Sequence, residues 1–319
     1  MLSLINVIKA RNRIGRFIRR TPLYASDFLS SRYKARVYLK LENQQVTGSF
    51  KIRGAINKIL KHRNVLSGRK LLTVSTGNHA IAVAHASRIL GIESLIIVPE
   101  NITKIKRMRI EAAGGKVLVM GKDYDEAERY AKEMLGSGSY LFLSPYNDPD
   151  IIEATATIGL EILEDEPDTD VIIVPVGGGG LISGISFVAK NLKKEIKVYG
   201  VQSEASPAMY ESFKKGRIVK VSLAPSIAEG LYGNIEESSI TFDFVKKYVD
   251  DILLVSEREI KEAIRELYFS EGILAEGAAA ITLAALKRYG ELFENKKVCL
   301  VISGGNIDPE HFIEVFQEY

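Results

Sequence analysis

Nine short runs rich in Val, Ile, Leu and Tyr recur along this chain: "ARVYLKLE", "KLLTVS", "SLIIVP", "GKVLVM", "YLFLS", "DVIIVPV", "IKVYGVQ", "DDILLVS" and "KVCLVIS". Segments with apolar residues at helical spacing lie between most of them, such as "NHAIAVAHASRILG" and "SEREIKEAIRELYFSEG". This alternation constrains the fold more than any other feature. Parallel strands need a long crossover, and a helix supplies one. The pattern predicts an α/β architecture of largely parallel, twisted sheets flanked by helices. Apolar strands between helices suit sheets covered on both faces. At 319 residues the chain exceeds the usual single-domain size, so two domains, or one large domain with a lobe, are expected. Residues 60–146 would form a small domain of four βα-like units, and residues 1–59 with 147–319 the large one. "EDEPDTD", residues 164–170, reads as a loop, and "MLSLINVIKARNRIGRFIRR" as an amphipathic first helix.

Composition narrows the function. Charged residues make up 26% and the net charge is +3, with no basic stripe interleaved with aromatics. Nucleic-acid binding is not expected. No apolar run reaches ~18 residues, so no membrane span is expected. The one cysteine, Cys299, lies in an apolar run, which excludes an internal disulfide and a zinc cage and reads as a buried strand residue. With no secretory leader evident, a cytoplasmic protein is expected.

Four stretches carry chemistry. In "PVGGGGLISGI" an apolar strand ends at Val176 and four glycines, Gly177 to Gly180, open a helix pattern at Leu181. Glycines let successive N–H groups converge on an anion, and the helix adds its positive end. This reads as a phosphate cup, without the Gly-Lys-Ser/Thr ending of a Walker loop, with a plain βα turn as the alternative. "STGNHA" joins another strand to a helix through Ser75, Thr76, Gly77, Asn78 and His79, with hydroxyls and an amide available for a ligand or for capping. "VISGGNID" delivers Ser303 at a strand's C-terminal end, where ligands of open α/β sheets sit. "GSFKIRGA" sets Phe50 beside Lys51 at a helix start. A nucleophilic lysine must be desolvated or placed near positive charge.

In this order the four stretches resemble the fold-type II pyridoxal-phosphate enzymes, whose fold is like the tryptophan synthase β subunit, in the threonine dehydratase and serine racemase branch. The resemblance implies that Lys51 is the Schiff-base lysine and Phe50 packs against the pyridine ring. It implies that Ser75, Thr76, Gly77, Asn78 and His79 meet the substrate, with Asn78 also on the ring hydroxyl. Gly177, Gly178, Gly179, Gly180 and Leu181 would hold the phosphate, Ser303 would face the ring nitrogen, and Glu276 in "LAEGAAAI" would lie near ring and substrate. Its own residue type also allows Glu276 a plain role at a helix N-terminus.

The implied reaction is dehydration and deamination of L-threonine and L-serine. Lys51 takes the Cα proton, and a neutral serine at the ring nitrogen favours elimination. The rival is serine racemisation, which needs a second acid/base on the other face; the hydroxyl of Thr76 stands at that position. Against it, the racemases' divalent-metal segment carries Gln202 and Ala208 where they have acids, so no metal is expected. The resemblance also implies a small amino-acid substrate and a homodimer or homotetramer. It implies no isoleucine feedback, since the chain ends shortly after "GGNI". A third possibility is a phosphate-ligand-binding regulator that kept the fold without chemistry.

Overall fold

The structure, a computed structural model, describes residues 2–317. Helix α1 (Leu4–Ile14), strand β1 (Leu23–Ser26), helix α2 (Asp27–Tyr33), strand β2 (Arg36–Leu41) and helix α3 (Lys51–Lys61) come first. Then β3 (Lys70–Val74), α4 (Asn78–Leu90), β4 (Ser94–Val98), α5 (Lys104–Ala112), β5 (Lys116–Val119), α6 (Tyr124–Leu135) and β6 (Tyr140–Phe142) alternate. The rest is α7 (Pro149–Asp165), β7 (Val171–Pro175), α8 (Gly180–Leu192), β8 (Lys197–Ser203), α9 (Ala208–Lys215), α10 (Ile240–Tyr248), β9 (Asp251–Val255), α11 (Glu257–Glu271), α12 (Gly277–Arg288), β10 (Lys297–Ile302) and α13 (Pro309–Gln317).

Two sheets result. The larger has the order β1-β2-β10-β7-β8-β9, parallel throughout except for β1, which runs antiparallel to β2. The smaller is all parallel, in the order β5-β4-β3-β6. All nine sequence runs form strands, and the α/β expectation holds. Period-2 alternation explains the large sheet's two cores. Val298, Leu300 and Ile302 of β10 join a cluster with α11 and α12, while Cys299 and Val301 face a second cluster with α8 and α10. Cys299 is a buried strand residue, and burial pushes its thiol up to about 12.

Four details differ from the sequence reading. Strand β1 has no apolar signature, because it is a four-residue edge with Tyr24 exposed, directly after Pro22. Helix α1 stops at Ile14, well before the basic stretch ends. Helix α7 runs two residues into "EDEPDTD", because Glu164 and Asp165 in its last turn pair with Arg20. The smaller sheet's four strands are joined by three helices, one fewer than four βα units require.

The large sheet positions the chemistry. Strands β2, β7 and β10 are parallel neighbours, so the segments after their C-terminal ends leave on one edge. These are the approach to Lys51, the glycine loop and the Ser303 loop.

Candidate active site

The lysine segment and the Ser303 loop are stitched together through their backbones. Ser49 bridges Gly304, Phe50 N–H donates to Ser303 O at 3.1 Å, and Gly305 N–H donates to Gly48 O at 2.9 Å. Gly48 must be glycine: its φ is +72°, and a Cβ there would lie 2.6 Å from Asn306 Oδ1. Helix α3 therefore starts at Lys51 with no side-chain cap, immediately after this seam. Ile52, Ala55, Ile56 and Ile59 bury its apolar face.

Arg53 fixes the helix further. It is 0% exposed and reaches Glu42 at 2.7 Å and Glu161 at 2.6 Å. Lys40, also 0% exposed, reaches Glu161 at 2.6 Å. Two cations and two carboxylates thus neutralise one another, as buried charges require. The network ties α3 to β2 and α7.

Held in this way, Lys51 donates from Nζ to Pro145 O at 2.8 Å and lies 5.0 Å from the centre of the Phe50 ring. Burial pulls the amine down from 10.5 to about 8, and Glu276 opposes the shift. About one-tenth of the amine is neutral at pH 7 at that value, some 300 times the fraction of an ordinary lysine.

Pro145 leads to the glycine loop through its neighbour Tyr146. A Cβ at Gly178 would run into the Tyr146 ring, and one at Gly180 would meet Tyr146 Cα at 3.0 Å. Gly177 faces the backbone of Leu231, and Gly179, at φ +89°, faces Met209 and Thr241. The glycines let these neighbours close in. Gly179 is the N-cap of α8 and offers no side-chain cap, so the first-turn N–H groups remain without side-chain acceptors. Leu181 is buried in the cluster against which Phe50 packs.

The turn Ser75–Thr76–Gly77 also opens an uncapped helix. Gly77 is the N-cap of α4, so neither Thr76 nor Asn78 caps it. Ser75 Oγ accepts from Gly77 N–H at 3.3 Å, and Thr76 lies partly buried on the same turn. His79 is 4% exposed, with Nε2 3.0 Å from Leu143 O. Burial, aided by Lys51, pulls its pKa down to about 3, so the imidazole is neutral and Nε2–H donates to the carbonyl. His79 ties α4 to the segment after β6.

The third side of the site is a polar cluster. Asn78 Nδ2 donates to Glu276 Oε1 at 2.7 Å, and Asn306 Nδ2 donates to Asn78 Oδ1 at 2.7 Å. Glu276 is the N-cap of α12, but its carboxylate caps nothing there. Burial pushes that carboxyl up to about 7, against the hydrogen bond from Asn78. Ser303, 4% exposed, has only a long contact, 3.4 Å, from Oγ to Ala278 O.

The sequence profile of the family described as "Pyridoxal-phosphate dependent enzyme" matches residues 14–304. The chain belongs to this family. It is 42% identical to the L-threonine ammonia-lyase of Thermotoga maritima over 97% of this chain and 76% of that protein. Among solved structures, the processed threonine deaminase isoform 2 of Solanum lycopersicum superposes with a TM-score of 0.92 at 30% identity, covering 98% of this chain and 91% of that one. Maize serine racemase superposes with a TM-score of 0.92 at 29% identity, covering 99% and 97%.

The donor set suits pyridoxal phosphate. A lysine of lowered pKa meets the need for an amine that can attack an aldehyde. The uncapped N-terminus of α8 suits a phosphate. Asn78 keeps one Nδ2 hydrogen beyond its bond to Glu276, and the Ser303 hydroxyl is nearly unengaged. Among the described residues, no group of three or more His, Cys, Asp or Glu could hold a metal, and no helix is long and apolar enough to cross a membrane. Sequence reasoning missed the parts played by Tyr146, Asn306 and the Arg53 network. Tyr146 and Asn306 lie inside "SPYNDP" and "SGGNID", whose residue types invite a polar or stacking role. Glu42 and Glu161 carry no local signal.

Proposed function

We propose that this pyridoxal-phosphate enzyme dehydrates and deaminates L-threonine and L-serine, releasing a 2-oxo acid and ammonia. The observation that carries the reading is the depressed, buried Lys51 amine, in a chain so similar to an L-threonine ammonia-lyase. The bound cofactor supplies the electron sink that makes the Cα proton removable. Lys51 Nζ, kept partly neutral by burial, is the base at Cα. Ser75, Thr76, Gly77 and the uncapped start of α4 hold the substrate carboxylate. Asn78 and Ser303 orient the cofactor ring, and Phe50 covers it. Ser303 brings no charge to the ring nitrogen. Glu276, near half-protonation at neutral pH, holds a proton beside the substrate.

In the same proposal residues 60–146, containing the smaller sheet, form the substrate-loop domain, and residues 1–59 with 147–319 form the cofactor domain. The protein works in the cytoplasm as a homodimer or homotetramer, a state that sedimentation measures.

A second reading, serine racemisation beside elimination, draws on the superposition with maize serine racemase and on the hydroxyl of Thr76. One experiment addresses both. Purified protein is reduced with borohydride, the labelled peptide is mapped, and ammonia release and enantiomer composition are followed for a panel of β-hydroxy amino acids. Label on Lys51 with ammonia from L-threonine supports the proposal. D-serine from L-serine adds the second reading. A protein that stays colourless with added pyridoxal phosphate would overturn both and leave the non-catalytic binder.

A further inference from the structure

Asn306 occupies a position that the reaction scheme leaves unexplained. Its Nδ2 donates to Thr47 O at 2.9 Å and to Asn78 Oδ1 at 2.7 Å. Both Nδ2 hydrogens are therefore used, and one partner, the backbone carbonyl of Thr47, can only accept. The amide of Asn306 has one usable orientation, because a flip would set its Oδ1 against the backbone carbonyl of Thr47. That orientation dictates the next. Asn78 must turn Oδ1 to Asn306, which places its Nδ2 on the other side, where one hydrogen goes to Glu276 Oε1 at 2.7 Å.

Glu276 alone does not fix Asn78. Burial holds its carboxyl near half-protonation at neutral pH, so it accepts a hydrogen bond in one form and donates one in the other. A protonated Glu276 would tolerate Asn78 turned either way. Asn306 would not. Two glycines make room for the chain of amides. A Cβ at Gly48 would lie 2.6 Å from Asn306 Oδ1, and a Cβ at Gly304 would lie 2.5 Å from Glu276 Oε1 and 3.2 Å from Asn78 Nδ2. The network thus joins the lysine segment, the Ser303 loop and the starts of α4 and α12.

We propose that Asn306 is a positioning residue: it locks the side-chain amide of Asn78 so that an N–H, not a carbonyl oxygen, faces the ring oxygen of the cofactor. This rests on the cofactor reading above. An N–H stabilises a ring oxygen that carries negative charge, and a carbonyl oxygen would repel it. The role lies in orientation, so the isosteric change that reverses hydrogen-bond polarity should harm more than deletion.

The test titrates apo-protein with pyridoxal phosphate and records the dissociation constant and the absorption maximum of the bound cofactor. Asn306→Asp is expected to raise the dissociation constant about tenfold, equivalent to about 1.4 kcal/mol, and to shift the absorption band. Asn306→Ala should have a smaller effect, about threefold, which is under half that free energy. In an Asn78→Ala background neither change should weaken binding further. Wild-type affinity and absorption maximum in Asn306→Asp would overturn the proposal. So would an equal loss in the Asn78→Ala background, which would place the effect at Thr47. If Asn306→Asp does not fold, Asn306→Ala with and without Asn78→Ala decides by the same criterion. Failure of the cofactor reading looks different, since wild-type protein itself would then bind no pyridoxal phosphate.

Discussion

Replacing Arg53 by methionine removes a buried guanidinium that donates five hydrogen bonds, two to Glu42, two to Glu161 and one to Thr157. Methionine fills much of the space but leaves Glu161 with Lys40 and Glu42 with only the Thr21 hydroxyl, two buried carboxylates to one cation. Breaking a buried ion pair by removing one partner costs about 3–5 kcal/mol. Glu161 gives the loss a pH dependence. Burial pushes its carboxyl up, Arg53 and Lys40 outweigh burial, and the net position is below the usual carboxylate range. A carboxyl depressed in the folded state contributes stability above its unfolded pKa, and that stability is lost as the pH falls through the folded value. Arg53→Met removes the larger part of this contribution. The gap between wild type and variant should therefore be widest near pH 7 and narrow below about pH 4.3, where glutamates protonate. Urea denaturation followed by circular dichroism at pH 7 and pH 4 measures it. Adding Glu42→Gln restores the balance between Lys40 and Glu161 and should recover about half of the loss or more. A gap equal at both pH values, or a double variant no more stable than the single one, would refute the electrostatic account. The loss would then reflect packing around the missing side chain.

Further changes test the site directly. Glu276→Gln removes the carboxylate that opposes burial at Lys51, so the pH midpoint for borohydride-trapped uptake of pyridoxal phosphate should drop below about 8; a rise would show that Glu276 does not act on the amine. Gly179→Ala forces a side chain to φ +89° beside Met209 and Thr241 and should destabilise the apo-protein by about 1–2 kcal/mol while weakening cofactor binding, read by urea titration and cofactor titration. Thr76→Ala should spare ammonia release from L-threonine and suppress any D-serine formation; an equal loss of both would assign Thr76 to substrate binding.

Much of the fold was legible because its signals are local. Each of the nine apolar runs carries its strand in its own composition, and the helix over Asn78–Leu90 carries its periodicity in thirteen residues. Strand β1 was missed because it is a short edge whose exposed Tyr24 gives no burial pattern. The glycine loop was legible too, since four glycines in a row have few other uses. The other site residues were named in their motifs, but what their side chains touch was not legible. His79 stood in a ligand-binding motif, yet its ring nitrogen meets Leu143 O, a partner that no neighbour of His79 in the chain announces. Arg53 reads as one more basic residue of a helix, and only the fold brings Glu161 to it.

The sequence by itself determined which apolar runs are strands, where loops can approach an anion, and that a lysine stands beside a phenylalanine at a helix start, because backbone propensity and side-chain period act over a few residues. Tertiary structure decided what those residues do. Lys51 is titratable near neutrality because burial lowers its amine, and Asn78 is oriented because Asn306, 228 positions away, can only donate to it. Desolvation and hydrogen-bond polarity belong to surroundings assembled from distant chain, so they exist only once the parallel strands have brought their ends together.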